Sequence, residues 1–555
     1  MGIQSPGEVS KRLLLLFAAA GILLNASGLF NGILEPDSAL YAGIAKRIAS
    51  QNDWINLYAD GGDWLDKPHF PFWMAAISFK FLGISSFSYK FPAFIFWIIG
   101  ICYTYLLARC LYNINAAFIT VIIYISATHV ILSNFDVRAE PYLSALVTAS
   151  VYYLYKLQDK TKFWYCLAAA FTAACAVMTK GIFILITIGG GFIIYWVITK
   201  QWKQFIHYKW WMFVALTFIF ILPELYCLYM QFDMYPEKIV FGKTNVSGIR
   251  FFFWDSQFGR FFNTGPIKGT GDISFYLHTI LWAFLPWSVL LYVTLATFLR
   301  KKNRITQPLQ WIIYGSAGIT FLLFSFSRFQ LPHYIIIIFP QCAMMVASYL
   351  ERSAGYPKVM RNIIILQSAL IAAATIFIIL LIVYCDFGYN YLWMLLVIPA
   401  AIISITFTWR KPVKTILYRG FMFAAILFCF LNLYFYPHLL HYQSGMQAAI
   451  WLREQKYAGR IAMYKNYSQS LEFYANGNVD RIPDDSSLQH YVSGQDAVIY
   501  TSEKNLAAFE KSGYSVNVLH TFDFFHVSML DLKFINHSTR SGELEKIALI
   551  SLRKK

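Results

Sequence analysis

Charged residues are scarce in this 555-residue chain, at 14% of the total, whereas hydrophobic residues make up 58%. The mean hydropathy is correspondingly high, at +0.50. Because soluble domains carry about 25% charged residues, this composition excludes an ordinary soluble protein. Acidic residues are scarcer than basic ones, 29 against 46. In a membrane protein such a surplus of positive charge reflects basic residues in the cytoplasmic loops and attraction to anionic membrane lipids. Nucleic acid is therefore not an expected partner.

Cysteine is also sparse, with eight residues in all and none after residue 429. The C-terminal part of the chain therefore has neither a disulfide framework nor a zinc motif. The sequence has no internal repeat and no low-complexity linker. The missing repeat argues against many transporter folds, which are built from repeated halves.

Long apolar runs dominate the first 436 residues. About 20 residues are needed to cross ~30 Å of hydrocarbon as a helix. Thirteen candidate spans lie near 13–30, 88–109, 116–132, 140–156, 163–179, 181–198, 210–230, 274–298, 309–326, 332–349, 362–384, 391–408 and 420–436. The chain is therefore predicted to be a polytopic α-helical membrane protein with about 13 transmembrane helices. The stretch 68–83 is short and carries Pro68 and Pro71, which favours a re-entrant or interfacial helix.

Basic residues in the short loops predict the orientation, because positive charge is retained on the cytoplasmic side. An odd number of spans, with the first one uncleaved, then places the amino terminus in the cytoplasm and the C-terminal segment outside. The predicted location is the cytoplasmic (inner) membrane. The basic residues that alternate correctly are Lys11, Arg12, Arg109, Lys156, Lys160, Lys162, Lys200, Lys203, Lys209, those at 300–304, Arg352, Lys358, Arg361, Arg410, Lys411, Lys414 and Arg419.

From residue 437 the composition becomes more polar. Strand-like runs at 460–464 and 496–500 alternate with helical patterns at 445–456 and 503–512. This alternation predicts a small extracytoplasmic α/β domain over 437–555. Residues 1–436 form the predicted transmembrane module.

Both signs of charge gather on the predicted outer face, at or just inside the ends of the spans. An ionisable group at a helix centre costs ~2.5 to 3.5 kcal/mol, so such groups usually face a cavity or a partner. Individual members could be snorkelling anchors or interhelical ion pairs. As a set they predict a polar cavity open to the outer leaflet. They are Glu35, Asp37, Asp66, Lys67, Asp136, Arg138, Glu140, Lys180, Asp255, Arg260 and Arg328.

Few reactions need several cations and several carboxylates in one site. Lys and Arg bind the phosphate of a lipid headgroup, and a carboxylate takes or orients the proton of an acceptor hydroxyl. Glycosyl transfer from a lipid-phosphate sugar needs both, and the phosphate leaves as a stable anion without a general acid. The alternative from another class is a transporter or lipid-binding membrane protein that binds a phosphorylated lipid without catalysis.

Seven segments between residues 30 and 350 resemble one known superfamily in order and spacing. The pattern is similar to the GT-C glycosyltransferases, and more closely to the bacterial branch of the dolichyl-phosphate-mannose protein mannosyltransferases, which includes the 4-amino-4-deoxy-L-arabinose lipid A transferases. The segments are 35–42 (EPDSALYA), 66–73 (DKPHFPFW), 138–141 (RAEP), 178–181 (MTKG), 258–261 (FGRF), 285–288 (LPWS) and 326–334 (FSRFQLPHY).

The resemblance implies a GT-C catalytic module with a first outer loop at 31–87, carrying interfacial helices, and a large outer loop at 231–273. It implies transfer of a sugar from a polyprenyl-phosphate donor, undecaprenyl phosphate in bacteria, with inversion. The acceptor is an envelope lipid A, glycan or protein.

The resemblance also assigns roles to individual residues. Asp37 is the expected catalytic carboxylate that activates or orients the acceptor, assisted by Glu140. The donor phosphate is expected to bind Lys67, Lys180, Arg260, Tyr334 and Arg138. Additional candidate site residues are Glu35, Asp66, His69, Asp255 and Arg328.

Three positions depart from the superfamily pattern. Ser38 replaces the second acid of the usual Asp-Glu pair, His69 replaces a proline, and Gln330 stands where relatives often carry lysine. No cofactor is required by the sequence. A divalent metal stays open, with Asp37, Asp66, Asp255 and His69 as its candidate ligands.

Overall fold

The computed structural model describes residues 9–300, 307–388, 390–492 and 497–554. Most of the predicted basic cluster at 300–304 and the first residue of the strand predicted at 496–500 lie outside these described residues.

Helices account for most of the described chain before residue 455. Short 3₁₀ segments lie at Ser27–Phe30, Trp202–Ile206, Pro308–Gln310, Pro332–Ile338 and Leu440–Tyr442, and π-helical segments at Tyr229–Asp233, Phe251–Gly259 and Leu431–Phe435. The α-helices are α1 (Lys11–Ala26), α2 (Asp37–Gln51), α3 (Phe70–Leu82), α4 (Ser86–Leu111), α5 (Ile114–Ile125), α6 (Thr128–Phe135), α7 (Glu140–Asp159), α8 (Phe163–Lys180), α9 (Ile184–Ile198), α10 (Tyr208–Phe220), α11 (Leu222–Leu228), α12 (Gly248–Arg250), α13 (Arg260–Phe262), α14 (Phe275–Ala283), α15 (Ser288–Leu299), α16 (Trp311–Phe326), α17 (Phe339–Ser353), α18 (Pro357–Cys385), α19 (Asn390–Thr406), α20 (Pro412–Phe430), α21 (Tyr436–Leu439) and α22 (Ser444–Glu454).

Eight helical segments of the described chain are long and apolar enough to cross a membrane. The count rises to nine if α5 and α6, which meet at a bend of 53°, form one broken span. The remaining predicted spans coincide with α7, with the short helices α9 and α19, and with the pair α14 and α15. Each predicted segment thus corresponds to helix, and the predicted polytopic helical class is confirmed. Helix α3 has only 13 residues, about 20 Å at 1.5 Å per residue, so it is too short to span.

The C-terminal region folds around a five-stranded mixed sheet, which confirms the predicted α/β class. The strand order is β4-β3-β5-β7-β6, with β3 parallel to β4 and β5, and β7 antiparallel to its neighbours. A two-stranded antiparallel hairpin, β1 and β2, lies in the segment 31–87. The elements are β1 (Tyr58–Ala59), β2 (Gly62–Asp63), β3 (Ile461–Tyr464), α23 (Gln469–Tyr474), β4 (Val479–Ile482), α24 (Asp485–Val492), β5 (Ala497–Ser502), α25 (Leu506–Lys511), β6 (Tyr514–Phe524), α26 (Leu532–Ile535), α27 (His537–Glu543) and β7 (Glu545–Lys554).

The central strand β5 is buried on both faces. Ala497 and Ile499 pack into a core with α24 and α25, whereas Val498 and Tyr500 pack into a second core with α22 and α23. Because successive strand residues point to opposite faces, the continuous apolar run of β5 fits a sheet covered on both sides. The domain therefore has three layers.

The sheet domain packs directly on the segment 31–87. On α2, the Lys46 ammonium donates hydrogen bonds to the carbonyl oxygens of Glu472, Phe473 and Ala475, at 2.8, 3.1 and 2.7 Å. A cation at the C-terminal end of a helix is favoured by unpaired carbonyl groups and by the helix dipole. In addition, the Tyr474 hydroxyl accepts a hydrogen bond from a backbone N–H of the loop. The contact ties α2 to α23.

Candidate active site

Helix ends position the main candidate residues. Asp37 and Glu140 occupy the first turns of α2 and α7, where the helix dipole favours a carboxylate. Pro141 is tolerated beside Glu140 because a first-turn residue needs no N–H partner. Lys180 ends α8, and Gly181 follows with φ +105°. A side chain at Gly181 would also collide with Gln257, so the backbone there requires glycine.

The first cluster joins Asp37 to Arg138. One guanidinium nitrogen, Nη1, lies 2.6 Å from Oδ2 of Asp37, and Nε donates to Oδ2 of Asp136 at 3.1 Å. The other Asp136 oxygen accepts a hydrogen bond from the Ser38 hydroxyl. Burial alone would lower the pKa of Arg138, but the carboxylates Asp136 and Asp37 outweigh it and raise that pKa. Ser38 thus orients Asp136 instead of supplying a second acid next to Asp37.

The second cluster contains Asp66, Lys67 and Arg260. The Lys67 ammonium lies 2.8 Å from one Asp66 oxygen, and Arg260 donates to the other oxygen and to the Asp66 carbonyl. Burial would raise the pKa of Asp66, but Lys67 and Arg260 outweigh it and lower the pKa to about 2. Burial and the neighbouring Arg260 lower the pKa of Lys67. Two cations are therefore held side by side by one carboxylate.

The third cluster surrounds Lys180. Its ammonium lies 2.8 Å from Oε1 of Glu140, which is buried, and 3.5 Å from the centroid of the Tyr334 ring. A cation over an aromatic face is attracted by the ring quadrupole. His333 connects this cluster to the first one, with Nδ1 3.5 Å from Arg138 and Nε2 3.9 Å from Glu140.

Two neighbouring cavities share Lys67 and Lys180 in their walls. The first, with a volume of about 90 Å³, is lined by Asp66, Arg260 and Tyr334 together with several phenylalanines. The second, of about 30 Å³, is lined by Arg138, Glu140, His333 and Tyr41. The predicted phosphate-binding residues and the predicted acid Glu140 are therefore brought to one polar region of the fold.

Three candidate residues lie outside this polar region. Glu35 accepts hydrogen bonds from Ser468 and from the backbone N–H of Ser470 in the C-terminal domain. Asp255 lies 3.8 Å from Arg250, and Arg328 is exposed. These positions do not bring Glu35, Asp255 or Arg328 to the three clusters.

His69 is fully buried and engaged on both ring nitrogens. Nδ1 lies 3.0 Å from Glu224, and Nε2 lies 2.9 Å from the carbonyl oxygen of Ile55. Burial would lower the pKa of His69, but Glu224 outweighs it and raises that pKa. The His69 ring therefore links the segment 31–87 to Glu224, which lines the first cavity.

The metal expectation does not fit this arrangement. Within the described ranges, no group of three or more His, Cys, Asp and Glu side chains is placed to hold a metal ion. Both nitrogens of His69 are occupied, and Asp37 and Asp66 belong to separate ion-pair clusters. Asp37, Asp66, Asp255 and His69 thus do not form one coordination sphere.

Two site residues had no assigned role in the sequence. Glu224 lies within the apolar span predicted at 210–230, where a carboxylate was itself a signal of a partner or a cavity. His333 lies in the 326–334 segment, but only the fold reveals that it connects Arg138 with Glu140.

Similarity to known proteins agrees with this geometry. Residues 66–227 match the family model for dolichyl-phosphate-mannose-protein mannosyltransferase. An uncharacterised protein of Aquifex aeolicus is 25% identical over 350 residues, 61% of this chain and 64% of that protein. An undecaprenyl phosphate-alpha-4-amino-4-deoxy-L-arabinose arabinosyl transferase of Proteus mirabilis is 25% identical over 320 residues, 57% of this chain and 55% of that protein. The alignments thus span less than two thirds of these relatives.

Solved structures match the fold over nearly the whole chain. The crystal structure of ArnT from Cupriavidus metallidurans bound to undecaprenyl phosphate superposes with a TM-score of 0.74 at 15% identity, covering 98% of each chain. The apo state of the same protein gives a TM-score of 0.71 at 16% identity. Fold and site therefore define a polytopic GT-C-type membrane protein. The family match over 66–227, the similarity to arabinosyl transferases and the shared fold agree with the resemblance seen in its motifs.

Proposed function

We propose that the chain is an integral membrane glycosyltransferase that takes a sugar from a polyprenyl-phosphate carrier, with undecaprenyl phosphate as the carrier. The acceptor is an envelope molecule (lipid A, a glycan or a protein), and transfer inverts the anomeric carbon. The observation that carries this proposal is the first cavity. It is lined by three cations from separate segments, Lys67, Lys180 and Arg260, beside an aromatic wall.

The donor phosphate fits the three cations. Lys67 and Arg260 are already held together by Asp66, so a phosphate can replace that carboxylate on the same donors with charge-assisted hydrogen bonds. Arg260 also lies 5.4 Å from the centroid of the Phe329 ring. The neighbouring phenylalanines supply the apolar surface that a prenyl chain needs.

The acceptor hydroxyl fits Asp37. Arg138 pairs with Oδ2 of this carboxylate, which leaves Oδ1 to take a proton. As Oδ1 removes the hydroxyl proton, the acceptor oxygen bonds to the anomeric carbon on the face opposite the phosphate. The bond from that carbon to the phosphate oxygen breaks, and the phosphate leaves as an anion, so configuration is inverted. Lys67, Lys180 and Arg260 balance the developing charge.

The orientation proposed with this function places the amino terminus in the cytoplasm and the C-terminal domain in the periplasm. The site then faces the outer leaflet of the inner membrane. The distribution of basic loop residues supports it.

Transfer of radiolabelled sugar by the purified chain in detergent tests the function. Defined polyprenyl-phosphate sugars serve as donors, with total envelope lipid and envelope protein as separate acceptor pools. We expect label in one pool, and a loss of ~10²-fold or more in Asp37→Asn with donor binding retained. Asp523→Asn, in an exposed pair with Lys546, is the matched control. Saturable binding of polyprenyl phosphate without transfer would instead favour a lipid-binding or transport protein.

A further inference from the structure

A large polar cavity lies between α2 and the C-terminal domain, apart from the site described above. Its volume is about 570 Å³, within the range of ~300 to 1,000 Å³ typical of ligand sites. One wall is α2, a second is the turn between β1 and β2, and the third runs from the end of β3 to β4. The second cavity of the candidate active site contacts α2 through Tyr41, but no lining residue is shared with either of those cavities.

Ion pairs and hydrogen bonds that cross between the domain and the loop hold these walls in place. Arg481 on β4 lies 2.8 Å from Asp60 in the β1–β2 turn and 2.6 Å from Glu472 in α23. On the far side, Lys46 is bonded to three carbonyl oxygens at the end of α23. A cavity fixed in this way loses little entropy when a ligand binds.

The cationic side chains around the cavity are already partnered, as are the carboxylates of Asp60 and Glu472. Lys46 and Arg481 make the contacts just described, and Arg47 donates to Gln51 at 3.1 Å. Arg47 and Arg481 also lie over the rings of Tyr58 and Tyr467, at 4.3 and 4.9 Å from their centroids. A phosphate or a metal cation would have to displace these partners. An uncharged ligand would not.

The remaining groups suit a ligand with many hydroxyls and one apolar face. Tyr467 is 40% exposed, and the side chains of Asn478, Ser50 and Gln51 are exposed at the cavity wall. Amide and hydroxyl groups donate to and accept from hydroxyls, and an aromatic ring offers a broad apolar face. Sugar residues present both features, because their C–H groups form a flat apolar side.

The cavity is aligned with Asp37 along one helix. Leu40, Ile44, Arg47 and Gln51 line it, and their three- and four-residue spacing continues from Asp37 on the same face of α2. At 1.5 Å per residue they lie roughly 5 to 20 Å along the axis from Asp37. An acceptor that ran along this face of α2 from a hydroxyl at Asp37 would reach the cavity.

We propose that this cavity binds the carbohydrate part of the acceptor, an oligosaccharide that continues away from the hydroxyl at Asp37. The link to Asp37 rests on the proposed function. Binding of an oligosaccharide to the cavity does not, so the two can be tested apart.

Binding is measured first, on the purified full-length chain in detergent, by isothermal titration and saturation-transfer NMR. The probes are maltotriose, chitotriose and the core oligosaccharide released from bacterial lipopolysaccharide by mild acid and then dephosphorylated. We expect at least one probe to bind, with a Kd raised about fivefold or more in Tyr467→Ala and changed less than twofold in Tyr467→Phe, which keeps the ring.

The matched control is His520→Ala, which changes an exposed aromatic group in another open cavity of the same domain. It should leave the Kd unchanged. No binding of any probe at millimolar concentration would overturn the proposal, as would equal Kd values for Tyr467→Ala and wild type. A Kd raised as much by His520→Ala would move the site to that second cavity and also overturn it.

Transfer then tests the connection to Asp37, with lipid A and lipopolysaccharide that retains its core as paired acceptors. We expect a lower KM for the extended acceptor in wild type, and similar KM values for the two acceptors in Tyr467→Ala with kcat unchanged. Equal KM values for both acceptors in the wild type would overturn the connection. If oligosaccharide binds but no sugar is transferred to any acceptor, the proposed function is overturned. The assignment of the cavity as an oligosaccharide-binding site is then retained.

Discussion

The carboxylate of Glu35 accepts a hydrogen bond from the Ser468 hydroxyl at 2.6 Å, across 433 residues of chain. The backbone N–H of Ser470 donates to the same oxygen. Glu35 lies two residues before Asp37, the proposed base, yet it faces the sheet domain. Its role is therefore to fix the entry into α2 from outside the site.

Replacing Glu35 should loosen this docking. Glu35→Ala leaves the two donors of the domain without an acceptor, which costs about 1 to 3 kcal/mol if they stay buried. We expect a lower Tm in detergent and faster hydrogen exchange at 468–475. Glu503→Ala, an exposed glutamate of the same domain, is the control. Unchanged exchange at 468–475 would contradict the contact.

Replacing Asp66 should separate folding from phosphate binding. Asp66→Asn removes the carboxylate that holds Lys67 and Arg260 together, so we expect a lower Tm but several-fold tighter binding of undecaprenyl phosphate. Weaker binding would mean that Asp66 positions Lys67 and Arg260 for the phosphate. It would contradict the view that the carboxylate occupies the place of the phosphate. Direct titration of the lipid phosphate against both proteins measures this.

The same carboxylate gives a pH dependence. The pKa of Asp66 is lowered from its usual 3.8 to about 2 in the folded chain. Its contribution to stability is therefore complete above pH ~4 and is lost as pH falls through 2. The shift corresponds to about 2 kcal/mol. The Tm difference between wild type and Asp66→Asn should shrink between pH 4 and pH 2, and a constant difference over that window would refute the assignment.

The ion pair of Glu140 and Lys180 should behave as a unit. Lys180→Met leaves the buried Glu140 carboxylate without its cation and should destabilise the fold by about 3 to 5 kcal/mol. Adding Glu140→Gln should recover much of this loss, measured as Tm in a double-mutant cycle. The cycle on the exposed pair Lys546 and Asp523 should show little coupling. Additive effects at Glu140 and Lys180 would contradict the pair.

The proposed orientation is testable through thiol labelling, because the sequence has no cysteine after residue 429. Ser512→Cys, in the turn after α25, should react with a membrane-impermeant maleimide in cells whose outer membrane is permeabilised. Lys203→Cys, on the predicted cytoplasmic side, should react only after the inner membrane is disrupted. The parent chain measures background labelling. The reverse pattern would invert the topology.

The helical class, the α/β domain and the motif segments were predictable because their signals are local. Lys180 and Gly181 illustrate this: a lysine at the end of an apolar run followed by glycine marks a helix end, and the fold places it there. Glu140 and Pro141 likewise predict the start of a helix, because an acidic residue and a proline are both favoured in the first turn.

The partners of these residues were not predictable, because pairing depends on packing between distant segments. Glu35 was grouped with Asp37 on account of their adjacency, but the chain turns between them and directs Glu35 to Ser468. His69 looked like a candidate ligand until the fold placed Glu224 beside it. The cavity between α2 and the sheet domain joins residues more than 400 positions apart, and no pattern in the sequence connects them.

Lys67 and Lys180 line both the first and the second cavity of the candidate active site and lie between them. An anionic group bound between these two ammonium groups would contact both cavities. A compound with one phosphonate between a short prenyl tail and a hydroxylated head would place the phosphonate at Lys67 and Lys180, with one end in each cavity. It would contact residues of both cavities at once, which follows from their shared wall.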